Sequence, residues 1–200
     1  MADLIITVER LTAHEGFMRS LIGAVALFGM LAAGLGSPGS LSAQEKPLTV
    51  FVVRHAEKGP GTPNPSLTRA GRTRARALAA VLKDAGIAAV FSSEFKRTQE
   101  TGAPLAKALG IAAERLPAGK PDSLIGRLRA LPAGSRALVV THSNLVPVIV
   151  QKLGGGSVGE LTDSDYDRLY VVTVKSDGSA DVLYLHYGSR SAPPGRAMRP

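Results

Sequence analysis

Three short apolar runs constrain what this 200-residue chain can fold into: residues 48–53 (LTVFVV), 87–91 (IAAVF) and 137–141 (ALVVT). Apolar residues stand at consecutive positions in each run, where a half-buried strand would alternate them. That is the pattern of strands covered on both faces, as in parallel sheets. The intervening segments read as helices. Thr68 caps one over 69–84, with Leu78, Leu82, Gly71 and Ala75 on one face and Gly86 at its end. Ser92-Ser93 opens a second over 94–109, with Pro104 as a kink and Gly110 closing it. A short strand near 111–116, a loop over 117–121 and helices over 122–131 and 145–153 follow. Residues 169–175 and 180–186 flank Ser176-Asp177-Gly178-Ser179 as a hairpin. This alternation predicts a doubly wound, mostly parallel α/β sheet with helices on both faces and an antiparallel edge hairpin.

In open sheets of this kind, ligands bind beyond the carboxyl ends of the strands. The three runs end in polar groups: Arg54-His55-Ala56-Glu57, Ser92-Ser93 and His142-Ser143-Asn144, with Arg97 close after the second. Parallel strands would gather two arginines, two histidines and free helix N-termini on one rim. Guanidinium forks and helix-terminal amides match the oxygens and charge of a phosphoryl group.

Four segments then carry a resemblance: Arg54-His55-Ala56-Glu57-Lys58, Leu67-Thr68-Arg69-Ala70-Gly71, Phe91 to Thr101 (FSSEFKRTQET) and Val140-Thr141-His142-Ser143-Asn144. In this order they resemble the histidine phosphatase superfamily, the phosphoglycerate-mutase-like clan in its short, single-domain branch, from about residue 48 to 175. The resemblance implies that His55 is the nucleophile forming a phosphohistidine. Arg54 and Arg97 would clamp the phosphoryl oxygens, His142 would add a hydrogen bond or positive charge, and Asn144 would join the phosphate-binding set. It implies no metal and no cofactor. Ala56 stands where the family usually has glycine. For the general acid, Asp122 at a helix start is the first candidate, with Glu57 and Glu94 as competitors; Glu100 and Glu114 also fall between Arg97 and His142. Without an acid, a substrate with a good leaving group, such as a phosphoramidate, is expected.

The N-terminus carries a different message. No charge occurs from Ser20 to Gln44, residues 21–35 are strongly apolar, and Arg19 precedes them while small residues follow up to Ala43. This is the order of a secretory signal peptide, and the apolar stretch is short for a bilayer span of about 20 residues. We expect cleavage near Ala43, a chain that starts at Met18, and a periplasmic or secreted protein with no stable membrane span. The organisation is then a leader over 1–43, a histidine phosphatase domain over 44–187 and a disordered tail over 188–200. Losing residues 1–43 removes Arg10 and Arg19 against Asp3, Glu9 and Glu15, so the net charge of +8 rises by one. Nucleic acid is not the expected partner, because no basic stretch is interleaved with stacking aromatics. A small phosphorylated substrate is. The absence of cysteine excludes disulfides and thiol catalysis.

The remaining polar clusters read as structural. Arg69, Arg72, Arg74 and Arg76 form a solvated helix face, with Arg69 at the border of the phosphate pocket, and His186 is a structural histidine. Asp163, Asp165 and Asp167 lack the glycine and bidentate glutamate of a calcium loop and read as an exposed loop.

Overall fold

The computed structural model describes residues 46–191; the expected leader over 1–43, residues 44–45 and residues 192–200 of the expected tail lie outside the described residues. The elements run β1 (Leu48–Arg54), α1 (Arg69–Leu82), β2 (Ala89–Ser92), α2 (Lys96–Leu109), β3 (Ala113–Arg115), α3 (Pro121–Arg129), β4 (Arg136–Thr141), α4 (Leu145–Lys152), β5 (Arg168–Val174) and β6 (Ala180–His186). They build one six-stranded sheet in the order β3-β2-β4-β1-β5-β6. The pairs β1–β4, β2–β4 and β2–β3 are parallel, whereas β5 is antiparallel to both β1 and β6. The expected α/β class and edge hairpin are both found. Among the described residues no helix is long and apolar enough to cross a membrane.

The consecutive apolar positions have their reason in the two cores. Val50 and Val52 of β1 and Ala137 and Val139 of β4 pack with Leu128 of α3 and Ile149 of α4. Their neighbours Val53, Leu138 and Val140 point the other way, onto Leu78 and Leu82 of α1 and Leu105 of α2. Successive side chains of a strand face opposite sides, so covering both sides requires an unbroken apolar run. The strand order also explains which helix lies where. The chain moves outward from β1 to β2 and β3, then reverses to place β4 between β1 and β2. Crossovers of one hand put helices made before and after such a reversal on opposite faces.

Local details differ from the expected boundaries. The α1 helix is capped as expected, the Gly71 amide donating to Thr68 Oγ1 at 3.1 Å, but it stops at Leu82. The second helix begins at Lys96, not 94, and has no side-chain cap. It runs unbroken through Pro104 to Leu109. Residues 188–191 belong with the ordered domain: the Ser189 carbonyl accepts from Arg74 Nη1 at 2.9 Å, and Ser191 Oγ accepts from the Tyr166 amide at 2.9 Å.

Gly71 has a specific role. A Cβ there would lie 2.2 Å from the Glu57 carbonyl oxygen, so only glycine lets the segment after β1 pass against the first turn of α1. We expect Gly71→Ala to cost about 1–3 kcal/mol by overpacking. Gly126→Ala in α3, where a Cβ meets nothing within 4 Å, should gain up to about 1 kcal/mol of helix propensity. Urea midpoints of the two variants check this, and an unchanged midpoint for Gly71→Ala would contradict the close approach.

Candidate active site

The carboxyl ends of β1, β2 and β4 form the predicted rim. Register pairs Arg54 with Thr141 across β1 and β4, and the His55 amide donates to the Thr141 carbonyl at 2.8 Å. This joins the two strand ends one residue before each turns away, so His55 and His142 emerge side by side. Their rings meet edge to face with centroids 5.5 Å apart. The His142 carbonyl accepts from the Leu145 and Val146 amides and starts α4. Arg97 enters from the first turn of α2, its guanidinium 4.3 Å from the centre of the Phe95 ring. Phe95 in turn stands edge-on to His142, with centroids 5.3 Å apart.

These groups open onto one cavity of about 450 Å³, lined by Arg54, His55, Arg97, His142 and Asn144 together with Lys58, Phe95 and Asp163. All four of the core residues named from the sequence are therefore brought together, and Asn144 with them. Arg54 is buried. Its Nη1 donates to the carbonyls of Thr162 at 2.7 Å and Asp163 at 3.1 Å, and its plane lies 4.3 Å from the centre of the Tyr166 ring. With Nη1 spent on the protein, the Nε–Nη2 edge is the side left for a ligand. Nε of Arg54 and Nε of Arg97 are both buried without a hydrogen-bond partner in the protein. Unpaired buried donors are costly unless something accepts from them, and an oxyanion offers several acceptors to both.

Each histidine is held by one nitrogen. His55 Nδ1 lies 2.8 Å from the Ala56 carbonyl, which can only accept, so Nδ1 carries the proton and Nε2 keeps its lone pair. His142 Nε2 lies 3.0 Å from Ser93 Oγ, which lies 2.8 Å from Thr98 Oγ1, itself 2.8 Å from the Phe95 carbonyl. The polarity that satisfies every member runs from His142 Nε2–H through Ser93 and Thr98 to Phe95. Burial pushes the His55 imidazole down to about 3, against the raising effect of the Ala56 carbonyl and with help from Arg54, His142 and Arg97. Burial and then Arg97 push His142 down to about 4, partly offset by Glu94. Both rings are thus neutral near pH 7. Burial, with Arg54 nearby, also lowers Arg97, while Glu94 raises it; an arginine remains charged.

The other expectations divide. Ala56, in the usual glycine position, is fully buried with Leu67 and Ala75, and its amide donates to Thr101 Oγ1 at 2.9 Å. Asp122 is not in the cavity: it is exposed on α3 and pairs with Lys152 Nζ at 2.8 Å, because the first turn of that helix faces α4. Glu57 is bound by Arg74 at 2.8 Å, and Glu94 Oε2 accepts from the Ala118 amide. Glu100 receives the Leu67 amide, and Glu114 pairs with Arg127. Arg74 is no solvated surface group; it is buried, bonded to Glu57 and to the Tyr187 and Ser189 carbonyls. Arg69 lines a separate concavity with Arg74 and Gly188. His186 is structural, its Nδ1 2.8 Å from Asp167.

Asp165 and Asp167 are buried, contrary to the exposed-loop reading; only Asp163 of the three is exposed. The reading missed Lys58, Phe95 and the 162–166 loop as site components. Lys58 and Phe95 stood inside quoted motifs and could have been found there. The loop carries no motif, and only the pairing of β5 beside β1 brings it over Arg54.

Residues 50–118, which include Arg54, His55 and Arg97, match the model of the histidine phosphatase superfamily, branch 1. No curated protein matches the sequence. Among solved structures the chain is similar to the protein histidine phosphatase SixA complexed with tungstate, at 20% identity and a TM-score of 0.56, covering 69% of this chain and 96% of that one. It is also similar to mycobacterial glucosyl-3-phosphoglycerate phosphatase, at 15% identity and a TM-score of 0.55, covering 72% and 99%. The complex of that enzyme with inorganic phosphate matches at 15% identity and a TM-score of 0.54, covering 70% and 97%. These likenesses carry the fold.

Imidazole ¹⁵N chemical shifts provide the check on protonation. At pH 6 both rings should be neutral, His55 as the Nδ1–H tautomer and His142 as the Nε2–H tautomer. Because the folded values lie below the ordinary 6.5, these rings contribute stability above pH 6.5 that is lost as pH falls toward about 4 and about 3. Denaturation midpoints should fall through that window less steeply in His55→Gln than in the parent.

Proposed function

We propose that this chain is a phosphatase of the histidine phosphatase superfamily, whose branch 1 model matches residues 50–118, and that it works through a phosphohistidine on His55 without a metal ion. The observation that carries this reading is the cavity itself: the buried Arg54 and the half-buried Arg97, each with a buried, unpartnered Nε, face a neutral imidazole whose Nδ1 is tied to a carbonyl. His55 Nε2 then attacks phosphorus in line, a role a neutral imidazole with a free lone pair can fill. Arg54 and Arg97 hold the charge spread over the equatorial oxygens, a role suited to donors fixed before the substrate arrives. His142 is braced by Ser93 through its Nε2–H and hydrogen-bonds the same group from Nδ1 once the phosphoryl dianion has drawn a proton onto the ring, and Asn144 completes the phosphate-binding set. Phosphate monoesters or phosphoramidates of small molecules are the substrate class.

We expect His55→Ala to abolish turnover of p-nitrophenyl phosphate, vanadate to inhibit the parent and a chelator to leave its rate unaltered. Persistent hydrolysis by His55→Ala would refute the assignment. A rapid quench should trap a phosphoprotein that is labile to acid and stable to alkali. A parent protein that binds phosphate and never turns over an ester would instead be a silent phospho-ligand-binding module.

The uncharged, apolar N-terminal stretch with small residues ahead of Gln44 supports export, to the periplasm or beyond the cell. N-terminal sequencing of the exported protein should start near Gln44; a protein retaining residues 1–43 in the cytosolic fraction would overturn this.

A further inference from the structure

An ester substrate needs a proton for its leaving oxygen; of the acids first considered, Asp122 is paired with Lys152 and Glu57 with Arg74, and Glu94 stands at the cavity margin with Oε2 held by the Ala118 amide. Among the described residues, the one carboxylate that lines the Arg54–His55 cavity is Asp163. Resting on the phosphatase reading above, we propose that Asp163 is the general acid–base of this enzyme, supplied by the loop between α4 and β5.

Its placement combines a fixed backbone with a free side chain. Arg54 Nη1 binds the carbonyls of Thr162 and of Asp163 itself. One turn on, Asp165 Oδ2 accepts from the Thr162 amide at 2.7 Å and from Thr162 Oγ1 at 2.9 Å, and pairs with Arg168 at 3.1 Å. Tyr166 covers Arg54 and reaches the His55 ring, with centroids 6.2 Å apart. The loop is then pinned from below by Ser191, which accepts from the Tyr166 and Asp167 amides. The same arginine that would hold the phosphoryl group therefore also sets where Asp163 begins. The Asp163 side chain is fully exposed, and its Oδ1 lies 3.8 Å from Arg54 Nη2. That contact is long for a hydrogen bond, so the carboxylate is steered toward the phosphoryl site without being consumed by it.

The chemistry balances as follows. His55 Nε2 forms a bond to phosphorus while the phosphorus–oxygen bond to the leaving group breaks, and that oxygen takes the proton of the Asp163 carboxyl. Water then attacks the phosphohistidine, giving its proton to the Asp163 carboxylate, and the phosphorus–nitrogen pair returns to His55. A phosphoryl dianion seated on Arg54 would take up the guanidinium that faces the Asp163 carboxyl.

Leaving-group dependence separates this role from a structural one. General acid catalysis is worth roughly 10²–10⁴-fold where the leaving oxygen is a poor one and little where it departs readily as an anion. In Asp163→Asn, the ratio of kcat/KM for glycerol 2-phosphate to that for p-nitrophenyl phosphate should fall by about 10²-fold or more. Asp163→Glu should recover part of that ratio. An unchanged ratio in Asp163→Asn, whether both rates fall or neither does, overturns the proposal. So does a parent enzyme that hydrolyses p-nitrophenyl phosphate and no alkyl phosphate. A parent whose p-nitrophenyl phosphate turnover survives His55→Ala would strike the phosphatase reading instead, a result the Asp163 ratio cannot imitate.

Discussion

The hydrogen bond from the His55 amide to the Thr141 carbonyl is the contact on which the cavity depends. It closes the parallel β1–β4 ladder at its carboxyl end and sets Arg54-His55 beside His142, residues 87 positions apart in the chain. Because both strands are covered on both faces by apolar side chains, their register cannot slip by one residue without turning Val50, Val52, Ala137 and Val139 to the wrong core. The packing energy of two hydrophobic layers is thereby converted into the spacing of two imidazoles.

Electrostatics gives that spacing its chemical meaning. Two arginines are held close to each other and to two histidines, and burial together with this positive charge keeps both rings neutral. A neutral imidazole is a nucleophile, whereas an imidazolium is not, so in the proposed mechanism the cations that would bind a phosphoryl group also keep the His55 nitrogen free to attack. The hydrogen bonds of the second layer give each ring a direction: the Ala56 carbonyl for His55, and the Ser93–Thr98 hydroxyls for His142.

The 162–166 loop ties the antiparallel end of the sheet to this centre. Arg54 spends one of its nitrogens on that loop, Tyr166 covers its guanidinium, and the buried Asp165 and Asp167 hold the loop through Thr162, Arg168, Ser191 and His186. Acidic residues that alternate along the sequence thus separate into two anchors and one side chain, Asp163, that faces the cavity. The separation follows from which carboxylates meet donors inside the fold, and alternation in sequence carries no information about that.

Much of this protein was legible before any coordinates. Unbroken apolar runs specify strands covered on both faces, the polar residues at their ends specify a rim, and Thr68 and Gly110 mark helix ends through local backbone chemistry. These are short-range properties, decided by side-chain periodicity and capping within a few residues. Tertiary structure alone decided the rest: that Asp122 spends its charge on Lys152, that Arg74 is buried against Glu57 and that a loop far along the chain brings Asp163 to Arg54. Such pairings depend on which distant elements the sheet places in contact, and a charged side chain carries no local signal of the partner it will meet.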